Sequence, residues 1–198
     1  MKIVFASNNK NKINEISQQL PKTIEVVSLA DIGCTEDIPE TGQTIESNAS
    51  IKANYVTEKY GLPCFADDTG LEVEALDGEP GVFSARYAGE DKNDNKNMAL
   101  VLAKLDQESN RKARFKTVIA LNINNEKHLF TGIVNGNITQ EKIGTNGFGY
   151  DPIFAPEGFA ETFAQMTIEQ KNEISHRGKA VKQLVKYLSQ QMNFENNQ

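Results

Sequence analysis

This chain of 198 residues is short of basic side chains, of sulfur and of long apolar runs, and each shortage excludes a class of function. Lysine and arginine number 21 against 27 acids, a formal net charge of −6. Nucleic acids and anionic membranes want a basic face, so neither is expected as a partner, although a small anion can still bind a local basic pocket. Cys34 and Cys64 are the only cysteines. Without a secretory signal, two thiols read as reduced packing residues and not as a disulfide or zinc pair. The apolar stretch Ile3 to Ala6 is too brief for a signal peptide and no run approaches a membrane span, so a cytoplasmic location is expected. Internal repeats, linkers and a Walker loop are also missing. A chain of this length is expected to form a single domain, residues 1–198, that buries roughly 70% of its unfolded surface.

What is present is an alternation of strand and helix patterns. Ile3 to Ala6 reads as a buried strand, followed by the polar run Ser7 to Lys12 and then by Ile13, Ile16 and Leu20 at helical spacing. Ile24 to Leu29 reads as a second strand and Asp31 to Thr44 as a loop. Ile45, Ala49, Ala53, Val56 and Tyr60 form one stripe of a helix closed by Gly61 and Pro63. Cys64 to Ala66 is a short buried strand, and Leu71, Val73 and Ala75 alternate with Glu72 and Glu74 in another. A glycine-rich loop from Asp77 to Gly89 precedes a helix at Met98 to Leu105. Phe115 to Ile123, a turn at Asn124-Asn125 and His128 to Ile138 make a hairpin. After a loop from Gly144 to Pro156, Ser175 caps a last helix with Ala180, Val181, Leu184, Val185, Leu188 and Met192 on its core face. The tail, residues 192–198, is expected to fray. Early alternation with a late hairpin predicts an α/β fold with a sheet of mixed direction.

Several stretches carry groups that could do chemistry. Ser7 to Lys12 sets a hydroxyl, amides and two lysines at a strand-to-helix junction, where unpaired N–H groups and the helix dipole favour an anion; an ordinary cap beside solvated lysines is the competing account. Asp67-Asp68 ends the apolar run Cys64 to Ala66, where open α/β sheets place ligand crevices, although Asp-Asp-Thr-Gly also reads as a turn. Successive strand side chains point to opposite faces, so one acid of the two looks into a given cleft. Lys52 lies at the edge of its helix's apolar stripe, where a lysine usually snorkels to water. Glu40 shares an acidic loop with Glu36 and Asp37 and reads as solvated. Gly147-Phe148-Gly149-Tyr150-Asp151 lets backbone and aromatic faces approach a flat ligand, or forms a tight loop anchored by core aromatics. Lys171, Ser175, His176 and Arg177 gather cations near a helix start, against the dipole, which points to a compensating function.

In order along nearly the whole chain, these segments resemble the inosine triphosphate pyrophosphatase family: "SNNKNK" from Ser7, "ETG" from Glu40, "ADDTGLEV" from Ala66, "GEPGVFSARYAG" from Gly78, "GFGYDPIF" from Gly147 and "QKNEISHR" from Gln170. Ser7, Thr69 and Gln170 depart mildly, standing where many members have Thr, Ser and Glu. The resemblance implies an elongated mixed β-sheet with flanking helices, two lobes around a central cleft, and a homodimer. It implies hydrolysis of the deaminated purine nucleotides ITP, dITP and XTP to monophosphate and pyrophosphate, which cleanses the nucleotide pool. Mg²⁺ is implied as cofactor, held by Glu40 and Asp68, with Asp68 as the catalytic base and Asp67 in support. Ser7, Asn8, Asn9, Lys10, Asn11 and Lys12, with Lys52, would hold the triphosphate. Thr69, Phe148, Gly149, Tyr150, Asp151 and Lys171 would contact the rest of the substrate, and His176 and Arg177 would donate to the 6-keto edge of the base. A related-fold pyrophosphatase for other modified nucleotides and a nucleotide sensor without turnover are the alternatives.

Overall fold

A computed structural model describes residues 1–195, with side chains through residue 192. Strand β1 (Lys2–Phe5) leads to α1 (Lys10–Ser17), β2 (Glu25–Val27), α2 (Ile45–Tyr60) and β3 (Cys64–Val73). Helix α3 (Asp94–Lys104), β4 (Lys112–Ile123), β5 (Glu126–Ile138), β6 (Phe154–Pro156), α4 (Ile168–Ile174) and α5 (His176–Glu195) complete the order. One six-stranded sheet runs β2-β1-β3-β4-β5-β6. Strand β1 is parallel to both β2 and β3, whereas β5 and β6 are antiparallel, so the sheet is mixed as expected, with helices flanking it. No helix among the described residues is long and apolar enough to cross a membrane.

The single domain expected over 1–198 is built as two compact units, each drawn from separated segments. The first takes residues 1–68, 117–132 and those from 177 onward; the second takes 69–116 and 133–176. In the first unit the period of two sorts the strands onto two cores. Ile3, Phe5, Phe65, Ile119 and Leu121 face α1 and α5 through Ile16, Ala180, Val181, Leu184 and Leu188. Val4, Ala6, Cys64, Ala66, Val118 and Ala120 face α2 through Ile45, Ala49, Ala53 and Val56. Both sheet faces are covered, which is why these strands read as unbroken apolar runs. In the second unit Leu71, Val73, Ala113, Phe115, Val134 and Ile138 pack with Met98, Val101, Phe154 and Phe163. The opposite face of that part of the sheet carries Glu72, Lys112, Arg114, Asn135 and Asn137 along a groove of about 680 Å³.

Local chemistry sets the element ends. Thr44 and Ser47 form a reciprocal capping box at the start of α2, and Gly61 ends it at φ 67°, a left-handed cap that suits glycine. Asn124 and Asn125 both have positive φ, the turn that a two-residue hairpin requires. Two expectations change. Asp67-Asp68-Thr69-Gly70 is no turn but lies inside the ten-residue strand β3. Helix α4, unforeseen, is opened by a Thr167–Gln170 capping box and closed by Ser175, which lies extended before α5. Cys34 and Cys64 are buried free thiols, as expected. The tail expected to fray from 192 overlaps α5, which continues to Glu195, and residues 196–198 lie outside the described residues.

Candidate active site

In the first unit the carboxyl ends of β1 and β3 lie side by side. Phe5 is in register with Phe65, the two rings stack at 4.7 Å, and Ala6 N donates to Phe65 O at 2.9 Å. The residues that follow each strand, Ser7 onward and Asp67-Asp68, therefore emerge together, as ligand-binding residues do in open α/β sheets. Asn9 caps α1, its side chain accepting from the N–H groups of Asn11 and Lys12, while Ser7 Oγ accepts from Asn9 N at 3.2 Å. Asn8, Asn9, Lys10 and Asn11 are exposed at this junction.

Lys12 turns inward, and its Nζ donates to Asp67 Oδ1 at 3.1 Å. Asp67 Oδ2 accepts from Arg177 Nε at 3.2 Å, so a wholly buried carboxylate is bracketed by two cations. Burial by itself would raise the Asp67 carboxyl; Lys12 and Arg177 outweigh it and hold the group well below the usual carboxylate range. Those cations allow two adjacent acids to continue a strand.

Asp68 behaves differently. Burial raises its carboxyl, and Lys52 and Lys12 only partly oppose the rise. Its Oδ1 lies 3.8 Å from Lys52 Nζ, and its buried Oδ2 has no protein hydrogen-bond partner. Lys52 Nζ also donates to Glu40 Oε1 at 2.6 Å, so one ammonium spans two carboxylates. Burial would lower Lys52, but Asp68 and Glu40 outweigh it and keep the ammonium charged. Glu40, read as solvated, and Lys52, read as snorkelling, are in fact an ion pair. Gly42 makes this possible, because a Cβ there would sit 2.2 Å from Ser47 Oγ and 2.7 Å from Asn48 Oδ1; the loop can close onto α2 only without one. Gly42 N donates to Asn48 Oδ1 at 2.8 Å and completes the closure.

The second unit holds the other candidates. Lys171 Nζ donates to Asp151 Oδ2 at 2.6 Å, and the same oxygen accepts from Phe148 N at 2.9 Å. The Lys171 ammonium lies 4.9 Å from the centroid of the half-buried Phe148 ring. Gly147, at φ 75°, must lack a Cβ, which would lie 2.0 Å from Asp151 Oδ2. Gly149 N donates to Asp94 Oδ2 at 2.8 Å. His176 is buried and stacks on Phe115 at 4.5 Å. Tyr150, expected against the base, instead packs in the core with its hydroxyl donating to Ser84 O at 2.7 Å. It follows the competing account of a loop anchored by a core aromatic. Arg177, expected beside His176 on a base edge, is 2% exposed and bonds Glu15 and Asp67 in the first unit. Thr69 is half-buried directly after Asp68.

Glu15, Asn48 and Asp94 take part in these contacts and were not foreseen. Asn48 carried one signal, a polar residue beside Ile45 and Ala49 on a stripe that is otherwise apolar, whereas Glu15, with Asn11, Lys12, Gln18 and Gln19 at helical spacing, carried none. Asp94, exposed in the first turn of its helix, carried none.

An α/β protein that gathers lysines and carboxylates at the ends of parallel strands belongs to the class that places polar ligands at strand ends. The chain belongs to the Ham1 family, whose sequence profile matches residues 3–187. It is 66% identical to the dITP/XTP pyrophosphatase of Flavobacterium psychrophilum, over 94% of this chain and 98% of that one. Against the dITP/XTP pyrophosphatase of Flavobacterium johnsoniae the identity is 62%, over 96% and 98%. Its fold superposes on the Ham1 protein of Staphylococcus aureus with a TM-score of 0.89 at 42% identity, covering 96% and 100% of the two chains.

Proposed function

We infer that this chain is a nucleoside-triphosphate pyrophosphatase that hydrolyses ITP, dITP and XTP to the monophosphate and pyrophosphate, removing deaminated purine nucleotides from the precursor pool. The observation that carries the mechanism is Asp68, a buried carboxylate with one oxygen lacking a protein hydrogen bond and an ammonium 3.8 Å from the other. Asp68 Oδ2 takes the proton of a water that attacks the α-phosphorus, and the bond from that phosphorus to the bridging oxygen breaks to release pyrophosphate. Lys12 and Lys52, with Ser7 to Asn11 at the α1 terminus, hold the phosphates and neutralise charge gathering on the leaving group.

The unpartnered oxygen of Asp68, with Glu40 linked to the same carboxylate through Lys52, fits a hard divalent cation that takes oxygen ligands. Glu40 and Asp68 would hold Mg²⁺, which when bound screens phosphate charge and acidifies coordinated water. Phe148, with Lys171 and Asp151 behind its ring and Gly149 beside it, serves the base end, and Thr69 adjoins the reacting group. His176 donates to the 6-keto oxygen, where the 6-amino group of adenine presents donors to a donor. A site built on such a bond rejects the analogue that lacks the acceptor by up to about 10⁴-fold. A homodimer in the cytoplasm completes the reading, with exposed Phe83 and Phe159 supplying apolar surface to a second copy.

Product analysis by phosphorus NMR tests the assignment, with ITP, dITP, XTP, ATP and GTP each incubated with and without Mg²⁺. Monophosphate plus pyrophosphate is expected from ITP, dITP and XTP, and only with the metal. Orthophosphate plus diphosphate, or equal turnover of ATP, would contradict it.

A further inference from the structure

In the second unit the loop that carries Phe148 is tied down by two successive peptide N–H groups. Gly147 at φ 75° and Gly149 at φ 63° flank Phe148 in the left-handed region, and glycine has the most backbone freedom to lose on ordering. Two carboxylates restrict that freedom. Phe148 N donates to Asp151 Oδ2 at 2.9 Å, a tie within the loop, whereas Gly149 N donates to Asp94 Oδ2 at 2.8 Å across 55 residues of sequence. Asp94 opens α3, whose Asn93 cap accepts from Lys96 N and whose buried Met98 and Val101 belong to the core. The same helix reaches residues 85–88 through Asn97: its Oδ1 accepts from Ala88 N at 2.7 Å and its Nδ2 donates to Ala85 O at 3.0 Å. The Tyr150 hydroxyl donates to Ser84 O at 2.7 Å, so α3 reaches the Phe148 loop by two routes, one direct and one through residues 84–88.

We propose that Asp94 is a positioning residue for base recognition: by holding Gly149 N to the start of α3, it sets the place of the Phe148 ring against the purine. This rests on the reading that Phe148 serves the base end. Asp151, paired with Lys171, ties Phe148 N to α4, and Asp94 ties the next N–H to α3. Two anchors on different helices fix the intervening peptide, where one would leave it a pivot. Helix capping does not account for Asp94. Asn93 already caps α3, and an acid in the first turn gains from the dipole whichever way its oxygens point. Asp94 is exposed, where a side chain keeps its rotamer entropy by staying free, yet its Oδ2 is held on a peptide N–H of another segment. Stacking on an aromatic ring is indifferent to the groups on the base edge. Asp94 therefore acts on affinity for the purine and leaves the choice between keto and amino groups to the donors at that edge.

Calorimetric titration of the full chain with inosine monophosphate (IMP) and, separately, with inorganic tripolyphosphate, both with Mg²⁺, tests the proposal, with ITP kinetics alongside. Asp94→Ala should raise the Kd for IMP and the KM for ITP by about fivefold, as loss of one solvent-exposed hydrogen bond does. Its kcat and its tripolyphosphate Kd should stay within about twofold of the parent. Asp94→Asn loses the charge, and with it the dipole effect, but keeps an oxygen where Oδ2 stands, so its IMP Kd should return to within about twofold of the parent. Phe148→Ala should raise the IMP Kd by about tenfold or more, and Asp94→Ala added to it should change nothing further, because Asp94 acts through the ring. An IMP Kd unchanged in Asp94→Ala but raised in Phe148→Ala would overturn the role of Asp94 alone. If Phe148→Ala itself left IMP binding unchanged, the base-end reading would fall and the proposal with it. Equal losses for IMP and tripolyphosphate, or equal losses in Asp94→Ala and Asp94→Asn, would also overturn it, since a fault in folding or in helix charge acts in that way.

Discussion

Adjacent acids on one strand should fail in opposite ways when neutralised. Asp67→Asn removes the carboxylate that bonds both Lys12 and Arg177, and breaking a buried ion pair by deleting one partner costs about 3–5 kcal/mol. In a protein of this size each kcal/mol moves the Tm by roughly 2–4 °C, so a fall of about 6–20 °C is expected. The pH dependence carries the same signature. A carboxyl whose folded pKa is depressed contributes stability above its unfolded value of about 3.9 and loses it as pH falls through the folded pKa. The wild-type advantage over Asp67→Asn should therefore be full from pH 5 to 8 and shrink only in strong acid. Asp68→Asn should do the reverse. Burial raises the folded pKa of Asp68, so its ionised form opposes folding at neutral pH, and an amide should leave the Tm equal to or above the parent's. Turnover, in contrast, should fall by about 10²–10⁴, the usual worth of a positioned base. Thermal unfolding followed by circular dichroism, with pyrophosphate release from ITP measured in parallel, separates the two. An Asp68→Asn protein that melts below Asp67→Asn, or an Asp67→Asn protein as stable as its parent, would refute the division of labour.

Three further outcomes follow from the same geometry. Gly42→Ala should displace the Glu40 loop from α2 and raise the half-saturating Mg²⁺ concentration several-fold in steady-state assays; an unchanged requirement would remove Glu40 from the metal site. Lys171→Met breaks a buried pair with Asp151 and should lower stability by about 3–5 kcal/mol in urea titration while raising the KM for ITP. Burial pushes the Cys64 thiol up to about 12, so at pH 8 the folded protein should be inert to Ellman's reagent over minutes, and two thiols should appear once urea unfolds it.

The strands and amphipathic helices of the first unit were legible because its apolar runs and stripes face cores on both sides of the sheet. Asp67-Asp68-Thr69-Gly70 misled because local composition describes a turn, and the cations that make a strand possible come from positions 12 and 177, far away in sequence. Lys52 was legible only in part. Its place at the edge of a stripe is periodicity, but its partner Glu40 comes from a loop whose closure depends on Gly42 and Asn48. The partners of Arg177 were not legible, because Glu15 and Asp67 lie 162 and 110 residues away in sequence. Tyr150 could have faced a ligand or the core, and only the position of Ser84 O decides between them.

In chain terms the second unit is two insertions within the first, entering between Asp68 and Thr69 and leaving between His176 and Arg177. The first unit therefore cannot complete its sheet until both inserted stretches have brought their ends together, and closing long loops slows folding even where it weakens stability little. No single cut yields either unit as one continuous piece. Split fragments should regain structure only by reassociating, and a nascent chain cannot finish the first unit until the ribosome has delivered the last helix.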